Sequence, residues 1–298
     1  MKKILCLCVI LSLVLSLNCI MVSAEESRVP SNIEFTQHKG TSIEPEYEYK
    51  NVNTRGVRDI QVIKGSYPEW PEFNAGAHYY AYSPITADYA EAYTRVNLPT
   101  SLKRNNTNSG RKAYISLGVF GTLGNCGVDL GIRNDGTGWH PYHYDVKSGN
   151  FVVYDEVTVG STAKKAVIVA TPITTTSIRL YVQFQNASGA EINYFYQTIN
   201  VASDNFSIGY NGYIACHYYR FASLVNEPSE PDNQADGTYM LGGNFNGLAL
   251  YNRNTSTYEN WGMSSNLVNQ AWKVSPEKVT VSYTSGSDTE SFSIDHRA

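Results

Sequence analysis

The chain has 298 residues, of which 42% are hydrophobic and 17% charged, with 23 Lys and Arg against 27 Asp and Glu, a formal charge of −4. An acidic balance without a basic face argues against nucleic acid as a partner and against electrostatic docking to anionic lipid.

Met1-Lys2-Lys3 opens the chain, and an apolar run from Ile4 to Val22 follows, closing on the small residues Val22-Ser23-Ala24 with Glu25-Glu26 directly behind. This is the pattern of a cleaved signal peptide over residues 1–24; an uncleaved anchor is the alternative, because the run is nearly long enough to span a bilayer. Ser16-Leu17-Asn18 before Cys19 lacks the small residues of a lipid-attachment site. Cleavage removes Lys2 and Lys3 but no acid, so the formal charge moves from −4 to −6. No second apolar run approaches a span, so no membrane span is expected after cleavage and the product is expected to be secreted and extracellular.

Cys6, Cys8 and Cys19 leave with the signal, and Cys126 and Cys216 remain. In an oxidising compartment an isolated pair is most simply one disulfide, worth on the order of 4 kcal/mol for a loop of that length. Two buried thiols are the alternative.

Residues 25–57 are polar and charged, with Pro30 and Pro45 and no sustained period. They form a linker, an arm or a pro-segment. From about Asp59 the pattern becomes short strands. Ile178, Leu180, Val182 and Phe184 alternate with Arg179, Tyr181, Gln183 and Gln185, and Val128, Leu130 and Ile132 alternate with Asp129, Gly131 and Arg133. That is the period of a two-faced sheet. Further strands are expected at 112–120, 151–159, 165–170, 191–201, 213–224, 278–283 and 291–294. Asp135-Gly136, Ser188-Gly189, Asn211-Gly212 and Asp236-Gly237 supply the positive φ of tight turns between them. Asp88 to Thr94 fits a helix or a strand, and Ser264 to Trp272 a short helix. The expected fold class is all-β, an antiparallel β-sandwich or jelly roll, with residues 58–298 as one sandwich domain.

Ligand-competent groups are densest in Gly124-Asn125-Cys126-Gly127-Val128-Asp129 and in Trp139-His140-Pro141-Tyr142-His143-Tyr144-Asp145. Pro141 and the glycines before it place part of this cluster on a turn. Trp139 and the tyrosines offer flat apolar faces with polar tips, suited to a sugar ring or a peptide side chain; packing in the core is the alternative. A zinc set of His140, His143 and Asp145, completed by His217 or His78, is disfavoured because a three-residue spacing on a strand points the two rings to opposite faces. Asp232 to Gly237 has an EF-hand-like start, but Gly243 stands where the bidentate acid belongs. No metal or cofactor is expected. The sequence holds no G-x-S-x-G and no H-E-x-x-H.

The Asn125-Cys126-Gly127-Val128-Asp129-Leu130 segment, followed by a polar turn and Trp139 to Asp145, resembles a segment of the glutamic peptidases over about 20 residues. The resemblance is local and weak, and it implies a concanavalin-A-like sandwich. In that family a Q-T-G-V-D segment enters a strand and an aromatic W-Y-E-W-Y-P stretch follows. The resemblance sets the family's catalytic glutamine at Asn125 and its catalytic glutamate on the strand Tyr213 to Tyr219, which contains no acid. It also implies that Cys126 and Cys216 lie on strands near enough to bond.

The expected function is therefore binding of an extracellular glycan or peptide through an aromatic-lined face, without enzymatic activity. Asn125, Asp129, Trp139, His140, Tyr142 and His143 are the candidate binding residues. The alternative is a secreted hydrolase. It would be either a diverged glutamic-peptidase-like enzyme or a glycoside hydrolase with an acid pair drawn from Asp129, Asp145, Asp155, Glu156 and Glu191. A third reading is a surface component without a small ligand.

Overall fold

Two-residue alternation of apolar and polar side chains builds almost everything in the computed structural model, which describes residues 48–54, 57–63, 76–84, 86–104, 111–121, 127–202, 206–209, 212–225, 236–268 and 270–297. The strands in chain order are β1 (Glu48–Thr54), β2 (Val57–Ile63), β3 (Gly76–Tyr82), β4 (Tyr89–Asn97), β5 (Ser101–Lys103), β6 (Lys112–Gly121), β7 (Gly127–Asn134), β8 (Trp139–Asp145) and β9 (Asn150–Val153). They continue as β10 (Lys165–Thr174), β11 (Ser177–Gln185), β12 (Glu191–Asn200), β13 (Ser207–Ile208), β14 (Ile214–Val225), β15 (Tyr239–Asn252), β16 (Thr257–Asn260), β17 (Gln270–Val274), β18 (Val279–Thr284) and β19 (Glu290–Asp295). Single 3-10 turns at Asp155–Val157 and Pro276–Lys278 are the only helical elements among the described residues. No helix there is long and apolar enough to cross a membrane.

The strands form an all-β antiparallel sandwich. One sheet runs β1-β2-β18-β19-β15-β16, with β4 and β5 on the other side of β15. The ribbon β10-β11-β12 continues it, because β10 lies beside β4. The other sheet runs β17-β3-β14-β6-β7-β8-β9. Alternate residues of the second sheet, such as Ala81, Leu117, Leu130 and Tyr218, meet Val96, Phe245, Val281, Phe292 and Ile168 of the first in one core.

Several expectations are revised. The 88–94 segment is strand, within β4, and no helix forms over 264–272, where turns lead into β17. The expected strand 151–159 stops at Val153, where the Asp155–Val157 turn begins. Trp139 to Asp145 is a paired strand rather than a turn: Pro141 lies just beyond the stretch of β8 that pairs with β9, so its missing N–H breaks no bond there. Strand structure also begins inside the polar segment 25–57, since β1 and β2 form a hairpin that joins β18. The expected signal peptide, residues 25–47, Asn125 and Cys126 lie outside the described residues. So, then, does the expected Cys126–Cys216 bond. Cys216 is buried on the core face of β14, opposite Gly121 at the end of β6.

The two sheets are tied by charge as well as by apolar contact. Arg220 on β14 and Glu290 on β19 are both fully buried and pair across the core. The Arg220 Nε donates to Glu290 Oε2 at 2.9 Å, and its Nη2 donates to Oε1. The Tyr79 hydroxyl of β3 donates to the same Oε2 at 2.7 Å, and the guanidinium stacks 4.7 Å above the Trp261 ring. Burial drives Arg220 toward its neutral form, but the Glu290 charge outweighs it and the pKa is raised. Such a pair is costly to break from one side. Glu290→Gln is expected to lower unfolding stability by about 3–5 kcal/mol in urea titrations, whereas Arg220→Met with Glu290→Leu recovers most of that loss. A Glu290→Gln midpoint equal to the parent's would remove the pair from this role.

Candidate functional site

On the face of the second sheet turned away from the core, two neighbouring rows cross the strands. In the first, Tyr82 of β3 pairs with Tyr219 of β14, Tyr219 with Gly118 of β6, Gly118 with Asp129 of β7, Asp129 with Tyr144 of β8, and Tyr144 with Phe151 of β9. In the second row the order is Tyr80, Phe221, Ser116, Gly131, Tyr142 and Val153.

The glycines decide how these rows close. β14 and β7 flank β6 and so lie about 9–10 Å apart. Gly118 puts no side chain in that gap, and the Tyr219 hydroxyl donates to Asp129 Oδ1 at 2.6 Å. One row along, Gly131 lies between Tyr142 and Ser116, whose hydroxyls are 2.7 Å apart. A Cβ on Gly131 would stand 2.6 Å from Ser116 Oγ and 2.5 Å from the Ile115 carbonyl oxygen, so no larger residue fits. Isolated glycines inside strands mark such close approaches.

Rings fill the remainder of the face. Tyr82 stacks on Tyr219 with centroids 4.7 Å apart, Tyr219 lies nearly parallel to Phe221, and Tyr80 packs on Phe221 at 5.3 Å. Tyr114 meets Tyr142 edge-on at 5.1 Å, and Phe151 closes the far end against Tyr142. Asp129 is 3% exposed within this surround. Burial pushes its carboxyl well above the usual range, against the opposing pull of the Tyr219 hydrogen bond. Burial and the Asp129 charge push the Tyr219 and Tyr142 hydroxyls up as well, so both keep their protons.

Of the expected binding residues, Asp129 and Tyr142 share this face. Asn125 lies outside the described residues. Trp139 and His143 point the other way: Trp139 joins the core, and His143 accepts or donates at Nδ1 to the Tyr154 hydroxyl at 2.9 Å. Burial holds the His143 pKa down at about 4. His140 is on the same face as Tyr142 but at the strand's start. There it bonds to Thr137 Oγ1 at 2.9 Å and Thr158 Oγ1 at 3.0 Å, and it is paired with Asp135 and Asp155. It fastens the 134–138 turn to the 3-10 turn. The two histidines thus face apart, and no group of three or more His, Cys, Asp or Glu converges among the described residues. Sequence reasoning passed over Tyr80, Tyr82, Ser116, Tyr219 and Phe221. The glycines at 118 and 131, alone in otherwise alternating strands, were the signal that large side chains cross them.

His78 Nδ1 lies 2.8 Å from Ser223 Oγ on the same face. That pair is four residues along β14 from Tyr219, about 13 Å away. It does not join Asp129.

The fold and this face define an all-β sandwich with a closed aromatic surface around a buried carboxyl, Asp129. No family model matches the sequence, and no curated protein matches it. Among solved structures, the chain is similar to Scytalido-glutamic peptidase with a peptide-based transition-state analogue, at TM-score 0.45 and 11% identity over 74% of this chain and 98% of that one. It is also similar to SCP-B, a member of the Eqolisin family of peptidases, in complex with a tripeptide, at 0.43 and 11% over 74% and 98%. A functionally unknown protein from Saccharomyces cerevisiae follows at 0.29 and 9% over 64% and 88%.

An acid whose folded pKa is raised keeps its proton in the folded state after the unfolded chain has lost it. Its contribution to stability therefore falls as pH rises from about 4 toward the folded value. Asp129→Asn removes that loss. The urea midpoint of Asp129→Asn relative to the parent's is expected to be higher at pH 7 than at pH 4, and a relative midpoint that does not change with pH would show that Asp129 ionises as an ordinary carboxyl does.

Proposed function

We propose that the protein is secreted and binds an extracellular ligand, a peptide or a glycan, on the aromatic face around Asp129, without catalysing a reaction on it. The observation that carries this reading is the convergence of Tyr219 and Asp129 over Gly118, flanked by stacked rings. Tyr80, Tyr142, Tyr219 and Phe221 are buried, so a ligand would meet this cluster at its outer members, Tyr114, Phe120 and Phe151. Their rings supply contact area at little conformational cost, with the hydroxyl and carboxyl groups beneath them fixing orientation. Hydrolysis by paired carboxylates needs two acids facing one another across a groove, whereas the group that Asp129 meets at 2.6 Å is the Tyr219 hydroxyl.

The test uses isosteric variants that leave the rings in place. Tyr219→Phe and Asp129→Asn are each expected to weaken binding on peptide and glycan arrays by about tenfold, the worth of one hydrogen bond. Binding unchanged in both variants would rule this face out. The secreted product is expected to begin at Glu25 on N-terminal sequencing, and non-reducing peptide mapping is expected to link the Cys126 and Cys216 fragments.

One observation favours a second reading, a hydrolase. The strand to which the resemblance assigns a catalytic glutamate has none, yet its Tyr219 holds a carboxyl contributed by β7. A carboxyl pushed toward its protonated form has the character of a general acid. Casein cleavage at acid pH that disappears in Asp129→Asn would establish this reading, and absence of cleavage from pH 3 to 7 would remove it.

A further inference from the structure

The opposite side of the molecule carries a second aromatic surface that differs in kind. On the outward face of the first sheet, β12 presents Tyr194 and Tyr196, which are 57% and 48% exposed. Tyr181 of β11 lies 6.5 Å from each of them. Val167 and Val169 of β10 form a buried apolar floor, and beyond it Tyr93 of β4 meets Tyr258 of β16, 43% exposed, at 5.9 Å. The rings therefore cross the sheet from β12 to β16 over about 24 Å. Exposed apolar patches of this extent mark binding surfaces.

Two guanidiniums lie among the rings. Arg179 sits 5.7 Å over Tyr196, and Arg95 sits over Tyr93 and donates to its hydroxyl at 2.6 Å. Neither pairs with a carboxylate among the described residues, although the chain as a whole is acidic. Two carboxyls lie at this face: Glu191, at its β12 end, accepts from Gln183 at 2.6 Å and acts on Tyr181, and Glu91, deeper, is near enough to Arg179 to feel its charge. Glu91 is buried under Tyr258, which donates to it, and accepts from Thr171 Oγ1 at 3.4 Å. Burial raises its pKa to about 8, so it adds little negative charge at neutral pH.

We propose that this face binds an anionic polysaccharide, a polymer of sugar acids whose ring faces stack on the tyrosines and whose carboxylates pair with Arg179 and Arg95. Tyrosine offers a flat apolar ring with a polar tip, the complement of a pyranose. Arginine offers a planar fork that matches a carboxylate in two bonds. A peptide is a poorer match. An added peptide strand runs along a sheet edge and bonds to free backbone groups, whereas these rings run across the sheet, over strands β11 and β15 that are paired on both sides.

The test is affinity electrophoresis of the full chain through gels containing polygalacturonate, or dextran as the neutral comparison. Retardation by polygalacturonate that declines with added salt, and none by dextran, is expected. Tyr194→Ala with Tyr196→Ala, and separately Arg179→Gln, are each expected to weaken it at least tenfold. Far-UV circular dichroism of these variants is expected to match the parent's. No retardation at low salt, equal retardation by dextran, or retardation indifferent to the three substitutions would overturn the proposal. So would size-exclusion chromatography showing that the tyrosines hold two copies of the chain together.

Discussion

A buried ion pair sets the geometry of the whole sandwich. Arg220 and Glu290 come from different sheets, and neither tolerates the core without the other. Tyr79 and Trp261 complete the surround, so one charge pair fixes β14, β3, β19 and the end of β16 relative to one another. Arg220 and Tyr219 are consecutive residues, and alternation sends them to opposite faces of β14. The pair that anchors the strand in the core therefore also fixes the height and lean of the tyrosine that reaches Asp129 on the far side. Stability and the candidate site are two readings of a single strand position.

Legibility in the sequence followed regularity. β11 and β7 have clean alternation and two different faces, and they emerge at nearly their true limits, whereas β10, an apolar run expected at 165–170, continues to Thr174. β15, the longest strand, was invisible because Gly242, Gly243 and Gly247 interrupt its pattern. The structure uses Gly242 and Gly247 at positive φ to place bulges at Met240/Gly243 and Asn246/Ala249, where an extra residue curls the strand while pairing resumes beyond it. β8 was obscured by Pro141. The site was half legible for a related reason: Asp129 and Tyr142 stand in a conspicuous local cluster, but their partners Tyr219 and Ser116 are two strands away. A pattern along the chain reports which face a side chain takes. It does not report which side chain crosses a glycine to meet it.

The two aromatic faces show how one residue type serves opposed ends. On the second sheet the tyrosines pack on one another and on a carboxyl, and their hydroxyls are consumed internally. On the first sheet they lie beside two arginines that form no close ion pair among the described residues. Ring count alone, the feature most evident in composition, does not separate the two. The charges set between the rings do.

The place of β3 has a consequence for the order in which the protein can be made. It lies between β14 and β17, so its neighbours are separated from it by well over a hundred residues of chain: His78 pairs with Ser223 on one side and with Val274 on the other. The meander β10-β11-β12, by contrast, is assembled from consecutive segments. Contacts so distant in sequence are entropically late. An emerging chain can complete that meander while β3 still waits, and only the arrival of the C-terminal strands closes the second sheet around it.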